Sequence, residues 1–270
     1  MASATEVDST PKLDPINPLG TNEALDFRPS NILVKLTSLN NLPEDELLSL
    51  LGRPKKAQVL TESGKDLPQF SPQYLIYPAD ISRLGDEYLT DQICVIDFGE
   101  SFSISSPAAD LGIPENYLPP EVLLGEENPI GPACDIWALG CTLFEVRQQI
   151  PLFYMIFDTD ELLAEMVRFF GKLPKTWWDK WEAREDFFDD QGAWLRDRDT
   201  KEEWTLELAL SKPVEIVQPG RDDSGVGRRA LITSEAEQKL MADLLYKLFH
   251  YEPEMRPSTE EILAHEWFKM

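Results

Sequence analysis

The chain has 270 residues, with 25 Lys and Arg against 49 Asp and Glu, which gives a formal net charge of −24. Seven Trp, thirteen Phe and seven Tyr accompany this charge, so the composition indicates a folded chain with a sizeable core and excludes a wholly disordered acidic protein. The acidic excess also argues against direct nucleic-acid binding and against an anionic membrane as partner, because phosphate binding needs clustered Lys and Arg. Basic partners are favoured instead.

Cysteine usage and the lack of long apolar segments indicate a reducing compartment. Three Cys and two His, with no Cys-x-x-Cys pair, are too few for a disulfide or zinc framework. The amino-terminal segment has no apolar core like that of a signal peptide, and no stretch approaches eighteen uncharged apolar residues. We therefore expect a cytoplasmic or nuclear protein without a membrane segment.

The first third of the chain predicts two short strands separated by an insert. Residues 1–22 are polar and interrupted by prolines, which is typical of an irregular lead-in. Apolar runs at 31–36 and 92–96 predict two short buried strands, and residues 44–52 predict a short helix that ends at a glycine. Most of the segment at about 37–91 has mixed polarity, several prolines and no sustained period, so we expect an insert or a long loop there.

The remaining chain predicts mainly helices. Apolar residues surround the segment 133–146 on nearly every side, as in a helix inside a core. The segment 158–170 is amphipathic and begins at Asp158, which is a favourable cap. The segments 234–250 and 258–265 each open at a serine that is followed by a glutamate three residues later, which is the pattern of a capping box.

Two motifs with carboxylates lie beside the predicted strands. Asp26 and Asn31 stand five residues apart in a turn that Pro29 stiffens, directly before the first strand. Alone, this pattern is typical of turns in many proteins. Asp97 follows the second strand directly, in the motif Asp97-Phe-Gly99. A carboxylate at a strand end beside a flexible glycine suits a hard cation that bridges phosphate oxygens, although an ordinary turn is the alternative.

Three further motifs follow in a fixed order, and the order is more informative than any one motif. They are Tyr117-Leu-Pro-Pro-Glu121, Asp135-Ile-Trp-Ala-Leu-Gly140 and Arg256-Pro257. In this order the five motifs resemble the C-terminal lobe of a eukaryotic protein kinase, over about residues 26–268. The resemblance implies a mainly α fold over residues 23–270, a helical bundle with a small β-hairpin near the catalytic loop.

The resemblance implies a role for each matching residue. Asp26 is expected to accept the proton of the substrate hydroxyl, and Arg28 stands where related kinases have a lysine that contacts the γ-phosphate. Asn31 and Asp97 are expected to hold Mg²⁺ on the triphosphate, and Gly99 closes the metal-binding motif. ATP is the implied co-substrate and Mg²⁺ the implied cofactor.

Supporting positions follow from the same resemblance. Glu121, at the end of the activation segment, is expected to pair with Arg256. Asp135 is expected to hold the catalytic loop through its backbone amides. These expectations concern residues that position the site and do not touch the reacting atoms.

Some positions depart from the family pattern. Ala24 and Leu25 stand where His and Arg usually precede the catalytic Asp. No glycine-rich loop and no strand lysine precede Asp26 in the sequence, although kinases use both to hold ATP. We therefore expect the N-terminal lobe to be missing and the isolated chain to bind ATP poorly.

A narrower resemblance is to the SR-protein-specific serine/threonine kinases, particularly those of fungi. It rests on Asp26-Phe-Arg-Pro-Ser-Asn31, on the long insert, on Phe98-Gly-Glu-Ser-Phe102 and on Gly171-Lys-Leu-Pro174. The resemblance implies transfer of the ATP γ-phosphate to serines of basic Arg/Ser-rich proteins. The net charge of −24 agrees with this, because carboxylates attract a guanidinium-rich peptide.

Two questions stay open at this level. Asp186, Asp189 and Asp190 are candidates for binding guanidinium groups, and a solvated acidic face is the alternative for each of them. The alternative function is a truncated, catalytically inactive pseudokinase-like module that binds basic peptides.

Overall fold

The computed structural model describes residues 23–24, 27–64, 66–103, 112–127, 129–189, 191–195, 205–218 and 227–270. The eight α-helices of this part are α1 (Glu44–Leu51), α2 (Pro120–Leu123), α3 (Pro132–Gln148), α4 (Thr159–Phe170), α5 (Lys175–Lys180), α6 (Leu206–Ser211), α7 (Glu235–Leu248) and α8 (Thr259–Leu263). Its eight strands are β1 (Glu23–Ala24), β2 (Ile32–Leu36), β3 (Lys56–Gln58), β4 (Tyr74–Ile76), β5 (Leu89–Val95), β6 (Phe102–Ser103), β7 (Val214–Gln218) and β8 (Gly227–Leu231). The strands form four antiparallel pairs: β1 with β6, β2 with β5, β3 with β4 and β7 with β8.

The chain divides into two units that are each continuous in space. The helical unit comprises the described residues up to 31, together with 97–212 and 233–270. The hairpin unit comprises 32–96 and 213–232, and therefore contains α1 and three of the four strand pairs. The extent of the lead-in and of the insert stays a prediction.

The helical unit packs around α3, which confirms the core helix predicted over 133–146. The ring of Trp137 is fully buried, with its centroid 4.9 Å from that of Phe249 in an edge-on contact and 6.5 Å from that of Phe153 in a stacked one. α7 comes close to α3 at Gly140, where an added Cβ would lie 2.8 Å from the Phe249 ring. A side chain at position 140 would therefore force the two helices apart.

The helix starts agree with the predicted caps, with one difference. The Asp158 side chain accepts the Glu161 N–H at 2.8 Å. At Ser258 both hydrogen bonds of a capping box form, since Oγ accepts the Glu261 N–H at 3.3 Å and the Glu261 carboxylate accepts the Ser258 N–H at 2.8 Å.

Ser234 also caps its helix, but the predicted capping box there is wrong in one half. Its Oγ accepts the N–H of Glu237 at 3.2 Å. The Glu237 carboxylate instead accepts two hydrogen bonds from Arg147 of α3, at 2.7 and 3.1 Å. The cation lies on a distant part of the chain, so the local sequence pattern could not reveal it.

The two strands predicted at 31–36 and 92–96 exist as β2 and β5, but the prediction that they are buried is wrong. Leu33 and Val34 are 48% and 51% exposed, and Ile93 is 64% exposed. An apolar run predicts burial only if other elements cover both faces of the sheet. A two-stranded ladder provides no such cover by itself.

The insert is more ordered than its mixed sequence indicates. β3 and β4 pair from Lys56 opposite Ile76 to Gln58 opposite Tyr74. Three-residue strands are too short to show an alternating pattern, which explains why the sequence indicated a loop.

None of the helices in the described part of the chain is both long enough and apolar enough to span a bilayer.

Candidate active site

The register of the β2–β5 pair brings two predicted site residues to one end of the ladder. Ile32 pairs with Val95, so Asn31 precedes one strand and Asp97 follows the other on the same side. Directly opposed residues of an antiparallel pair lie about 4.5–5.5 Å apart, and their diagonal neighbours lie about 7–8 Å apart. Asn31 and Asp97 therefore adjoin the same end of the ladder, one before β2 and one after β5.

Local backbone geometry orients both residues. Asn31 ends a 3₁₀ turn, its N–H donates to the Arg28 carbonyl at 2.9 Å, and its side chain is buried. Asp97 is exposed and has φ 64° and ψ 59°, in the left-handed region. Few residues other than glycine adopt this conformation, and Asp is among those that tolerate it. It turns the chain sharply from the strand into the 3₁₀ turn Phe98–Glu100.

Gly99 lies within this turn. A Cβ added there would meet the Asp97 Oδ1 atom at 3.6 Å, which is an ordinary contact. The structure therefore shows no steric conflict that would require a glycine at this position. Its place in the metal-binding motif stays a prediction.

Asp26, the predicted base, lies outside the described residues. The next residue, Phe27, is hydrogen-bonded to a residue of the core. The hydroxyl of Thr142, which is buried in α3, donates to the Phe27 carbonyl at 3.0 Å. Sequence analysis did not identify Thr142. The available signal was a polar residue inside an otherwise apolar helix, where a hydroxyl needs a hydrogen-bond partner.

Arg28 lies near the end of the activation segment. The Tyr117 hydroxyl donates to the carboxylate of Glu145 in α3. Burial raises the pKa of Tyr117 well above its usual value, the Glu145 carboxylate raises it further, and the positive charge of Arg28 opposes these effects. Arg28 is thus close enough to act electrostatically on this phenol, and α3 holds the segment that contains Tyr117.

The predicted pair of Glu121 and Arg256 is confirmed. Arg256 Nη1 and Nη2 donate to the two carboxylate oxygens of Glu121 at 2.7 and 2.8 Å, and the two side chains are only 1% and 3% exposed. The guanidinium also donates to the carbonyls of His250, Ala133 and Tyr251. A bidentate pair of this kind fixes both position and orientation.

The guanidinium of Arg256 also lies 5.1 Å from the ring centroid of Trp137. This cation–π contact adds to the attraction that holds the buried charge. The end of the activation segment is therefore tied to α3 and to the last part of the chain at one point. Asp135 lies in the first turn of α3 and is partly buried, and its contact with the catalytic loop stays a prediction.

The three carboxylates proposed for guanidinium binding differ in their surroundings. Asp186 is exposed. Asp189 has a local structural function, because its Oδ1 accepts the N–H groups of Gln191 and Ala193 at 2.9 and 2.8 Å. Asp190 lies outside the described residues. The Oδ1 atom of Asp189 is thus used in a local turn, which neither guanidinium binding nor the alternative of a solvated acidic face predicted.

The donor set at the end of the β2–β5 ladder fits Mg²⁺. Asn31 offers a carboxamide oxygen and Asp97 a carboxylate, both of the hard oxygen type that Mg²⁺ prefers. Mg²⁺ usually takes one or two protein ligands and completes its shell with water and phosphate oxygens. The exposure of Asp97 is compatible with such a shared shell.

The family model described as "Protein kinase domain" matches residues 86–268. The chain belongs to the protein kinase family. Asp97, Glu121, Asp135 and Arg256 fall within the matched residues of this kinase, and the segment from Asp26 to Asn31 precedes them.

Several curated kinases are similar to this chain. The dual specificity protein kinase CLK1 of Mus musculus is 29% identical over 178 residues, which are 65% of this chain and 32% of the relative. The serine/threonine-protein kinase AFC3 of Arabidopsis thaliana is 29% identical over 182 residues, or 66% and 41%. The dual specificity protein kinase CLK2 of Homo sapiens is 29% identical over 176 residues, or 64% and 31%. The chain thus spans about a third of the length of the curated relatives it matches.

Proposed function

We propose that this chain provides the catalytic lobe of a serine/threonine protein kinase that resembles the SR-protein kinases. It would transfer the γ-phosphate of ATP to serines of basic Arg/Ser-rich proteins. The observation that carries the proposal is the register of the β2–β5 pair, in which Asn31 precedes one strand and Asp97 follows the other at the same end of the ladder. The match to the protein kinase domain includes Asp97 and supports a metal-binding role for that carboxylate, whereas Asn31 lies before the matched residues.

Each proposed site residue has a defined task. Asn31 and Asp97 would hold Mg²⁺, which when bound neutralises charge on the triphosphate. Asp26 would accept the proton of the incoming serine hydroxyl, and Arg28 would stabilise charge on the phosphoryl group. Thr142 would act as a positioning residue, because it holds the Phe27 carbonyl beside the base.

The proposed substrate class rests on charge. The chain has 24 more acidic than basic residues, so a peptide rich in Arg is attracted to it over a long range. The comparisons support a kinase without specifying its substrate, since the names of the relatives state only serine/threonine or dual specificity.

The second candidate is a module that binds basic peptides without transferring phosphate. Ala24 favours it, because it stands in place of the His whose side chain braces the catalytic loop in the family. Such a module needs the acidic surface but not the metal ligands. The two candidates therefore differ in their dependence on Asp97.

The test measures Mg²⁺-dependent transfer of labelled phosphate from ATP to an Arg/Ser-repeat peptide by the full chain. Asp97→Asn should abolish transfer, whereas Asp91→Asn, which changes an exposed carboxylate on β5, should leave it intact. Absence of transfer in both the unaltered chain and Asp97→Asn would refute catalysis. Retention of the chain on an immobilised Arg/Ser peptide, unaffected by Asp97→Asn but lost at high salt, would then establish the second candidate.

A further inference from the structure

The hairpin unit leaves much of its apolar surface uncovered. Among the residues of this unit whose side chains the structure describes, only Leu84 and Val214 are buried apolar ones, and α1 buries none. Ile76 and Tyr77, where β4 ends, are 57% and 60% exposed. Exposed apolar side chains that are grouped together are typical of a site of interaction.

Part of this surface forms a pocket of about 400 Å³, here named the insert pocket. It is lined by α1, by residues 52–55, by residues 76–80 and by Arg83. Its apolar wall consists of Leu47, Leu48, Leu51 and Ile76. Two of its lining residues are joined by a hydrogen bond, since the Tyr77 N–H donates to the Lys55 carbonyl at 3.0 Å next to the β3–β4 pair. A volume of this size accommodates a few side chains of a ligand.

The charge of the insert pocket is opposite to that of the whole chain. Arg53, Lys55 and Arg83 line it, together with one acidic residue, Asp80. Over the full sequence, acidic residues outnumber basic ones by 49 to 25. The pocket therefore repels the basic peptides that the rest of the surface attracts.

The position of Arg83 depends on a glycine at the end of α1. Gly52 has φ 78°, and an added Cβ would lie 2.6 Å from Arg83 Nη1. The guanidinium thus packs directly against the backbone where the helix ends. A cation at this place is also stabilised by the partial negative charge of the helix C-terminus. The cationic rim is consequently built into the hairpin unit.

We propose that the insert pocket binds an acidic peptide segment of a partner protein through an aliphatic or aromatic anchor. The anchor would pack against Leu48, Leu51 and Ile76, and carboxylates flanking it would face Arg53 and Lys55. Charge complementarity carries the choice of occupant, because the pocket combines an apolar wall with a rim of three cations to one anion. This interaction is independent of phosphate transfer and of the proposed substrate.

The test uses fluorescence anisotropy of the full chain with a labelled peptide in which leucines and a phenylalanine are separated by glutamates. Two control peptides replace either the apolar residues by serine or the glutamates by lysine. The double variant Arg53→Glu/Lys55→Glu should weaken binding about tenfold or more. The matched variant Lys35→Glu/Lys56→Glu changes two exposed lysines of the same unit that do not line the pocket, and should change binding less than about twofold.

A further variant separates the anchor from the charge. Ile76→Ser removes part of the apolar wall at an exposed position, so the fold should tolerate it and binding should weaken. Circular dichroism of every variant confirms that the hairpins and helices are retained. Equal losses in the two charge variants, equal binding of the serine peptide, tighter binding of the lysine peptide, or no binding at all would overturn the proposal. A different result would favour a lipid surface and overturn the proposal: the chain is retained on phosphatidylserine vesicles, Arg53→Glu/Lys55→Glu is not, and the peptide does not bind.

Discussion

Removal of Arg256 should destabilise the helical unit by more than any exposed charge substitution. In Arg256→Ala the carboxylate of Glu121 loses two hydrogen bonds and remains almost completely buried as a charge without its partner. Three backbone carbonyls lose a donor at the same time. Breaking a buried ion pair from one side costs about 3–5 kcal/mol.

The assay is urea unfolding followed by tryptophan fluorescence. All seven tryptophans lie at or after Trp137 in the sequence, so the signal reports mainly on the helical unit. With a slope of about 2–3 kcal/mol per molar urea, the loss corresponds to a midpoint lower by about 1–2.5 M. The control is Arg147→Ala: Arg147 and Glu237 are 14% and 24% exposed, so Glu237 is left partly hydrated and the loss should be smaller, about 1–2 kcal/mol.

A double-variant cycle isolates the pair itself. Glu121→Gln and Arg256→Met are measured singly and together, and a coupling free energy above about 1 kcal/mol is expected because the two side chains are in direct contact. The reasoning is refuted if Arg256→Ala costs no more than Arg147→Ala. It is equally refuted if the cycle gives no coupling within error.

Three further predictions follow from packing, exposure and pKa. Gly140→Ala should lower the free energy of unfolding by about 1–2 kcal/mol in the same urea assay, since its Cβ would meet the Phe249 ring at 2.8 Å. In the control Gly131→Ala the Cβ meets open space, so the change should be less than about 0.5 kcal/mol, and similar costs in the two variants would contradict the packing argument. Cys94 is exposed and should be the one thiol that reacts rapidly with a disulfide reagent in the native chain, because burial raises the pKa of the other two; fast reaction of three would contradict it. Burial raises the pKa of Tyr117, so the stabilisation from its bound proton is complete below the unfolded pKa of about 10 and is lost as the pH rises from there towards the folded pKa. Between about pH 9 and 11 the variant Tyr117→Phe should therefore lose less stability than the unaltered chain, and an equal loss in both would contradict this.

Most of the features that the sequence predicted correctly are determined by residues close together in the chain. The core helix α3 shows a nearly complete apolar surface, and the cap at Asp158 depends on an N–H three residues away. The pair of Glu121 and Arg256 spans 135 residues and was predictable only through the kinase resemblance. Periodicity gives no information about a contact of that separation.

The features that the sequence did not predict depend on what covers a segment. The apolar runs of β2 and β5 indicated burial, but Leu33 and Ile93 are exposed because exposure depends on the elements packed against the ladder and not on the run itself. The β3–β4 hairpin is too short to show a period. The position of Thr142 inside an apolar helix indicated a hydrogen-bond partner but not which one, because the partner is a backbone carbonyl at Phe27.

α3 connects the parts of the proposed site to the core. Along one helix, Ala133 accepts a hydrogen bond from Arg256, Thr142 donates to the Phe27 carbonyl and Glu145 accepts from the Tyr117 hydroxyl. The same helix is held in place by tightly packed aromatic rings, and interiors of this density do not deform continuously. A displacement of α3 would therefore move the residue beside the predicted base and both ends of the segment from Tyr117 to Glu121 together. The proposed site is thus positioned by a buried helix, through contacts that are mostly to backbone atoms or to single side chains. We therefore expect core substitutions in α3 to affect the site although the substituted residues do not contact it.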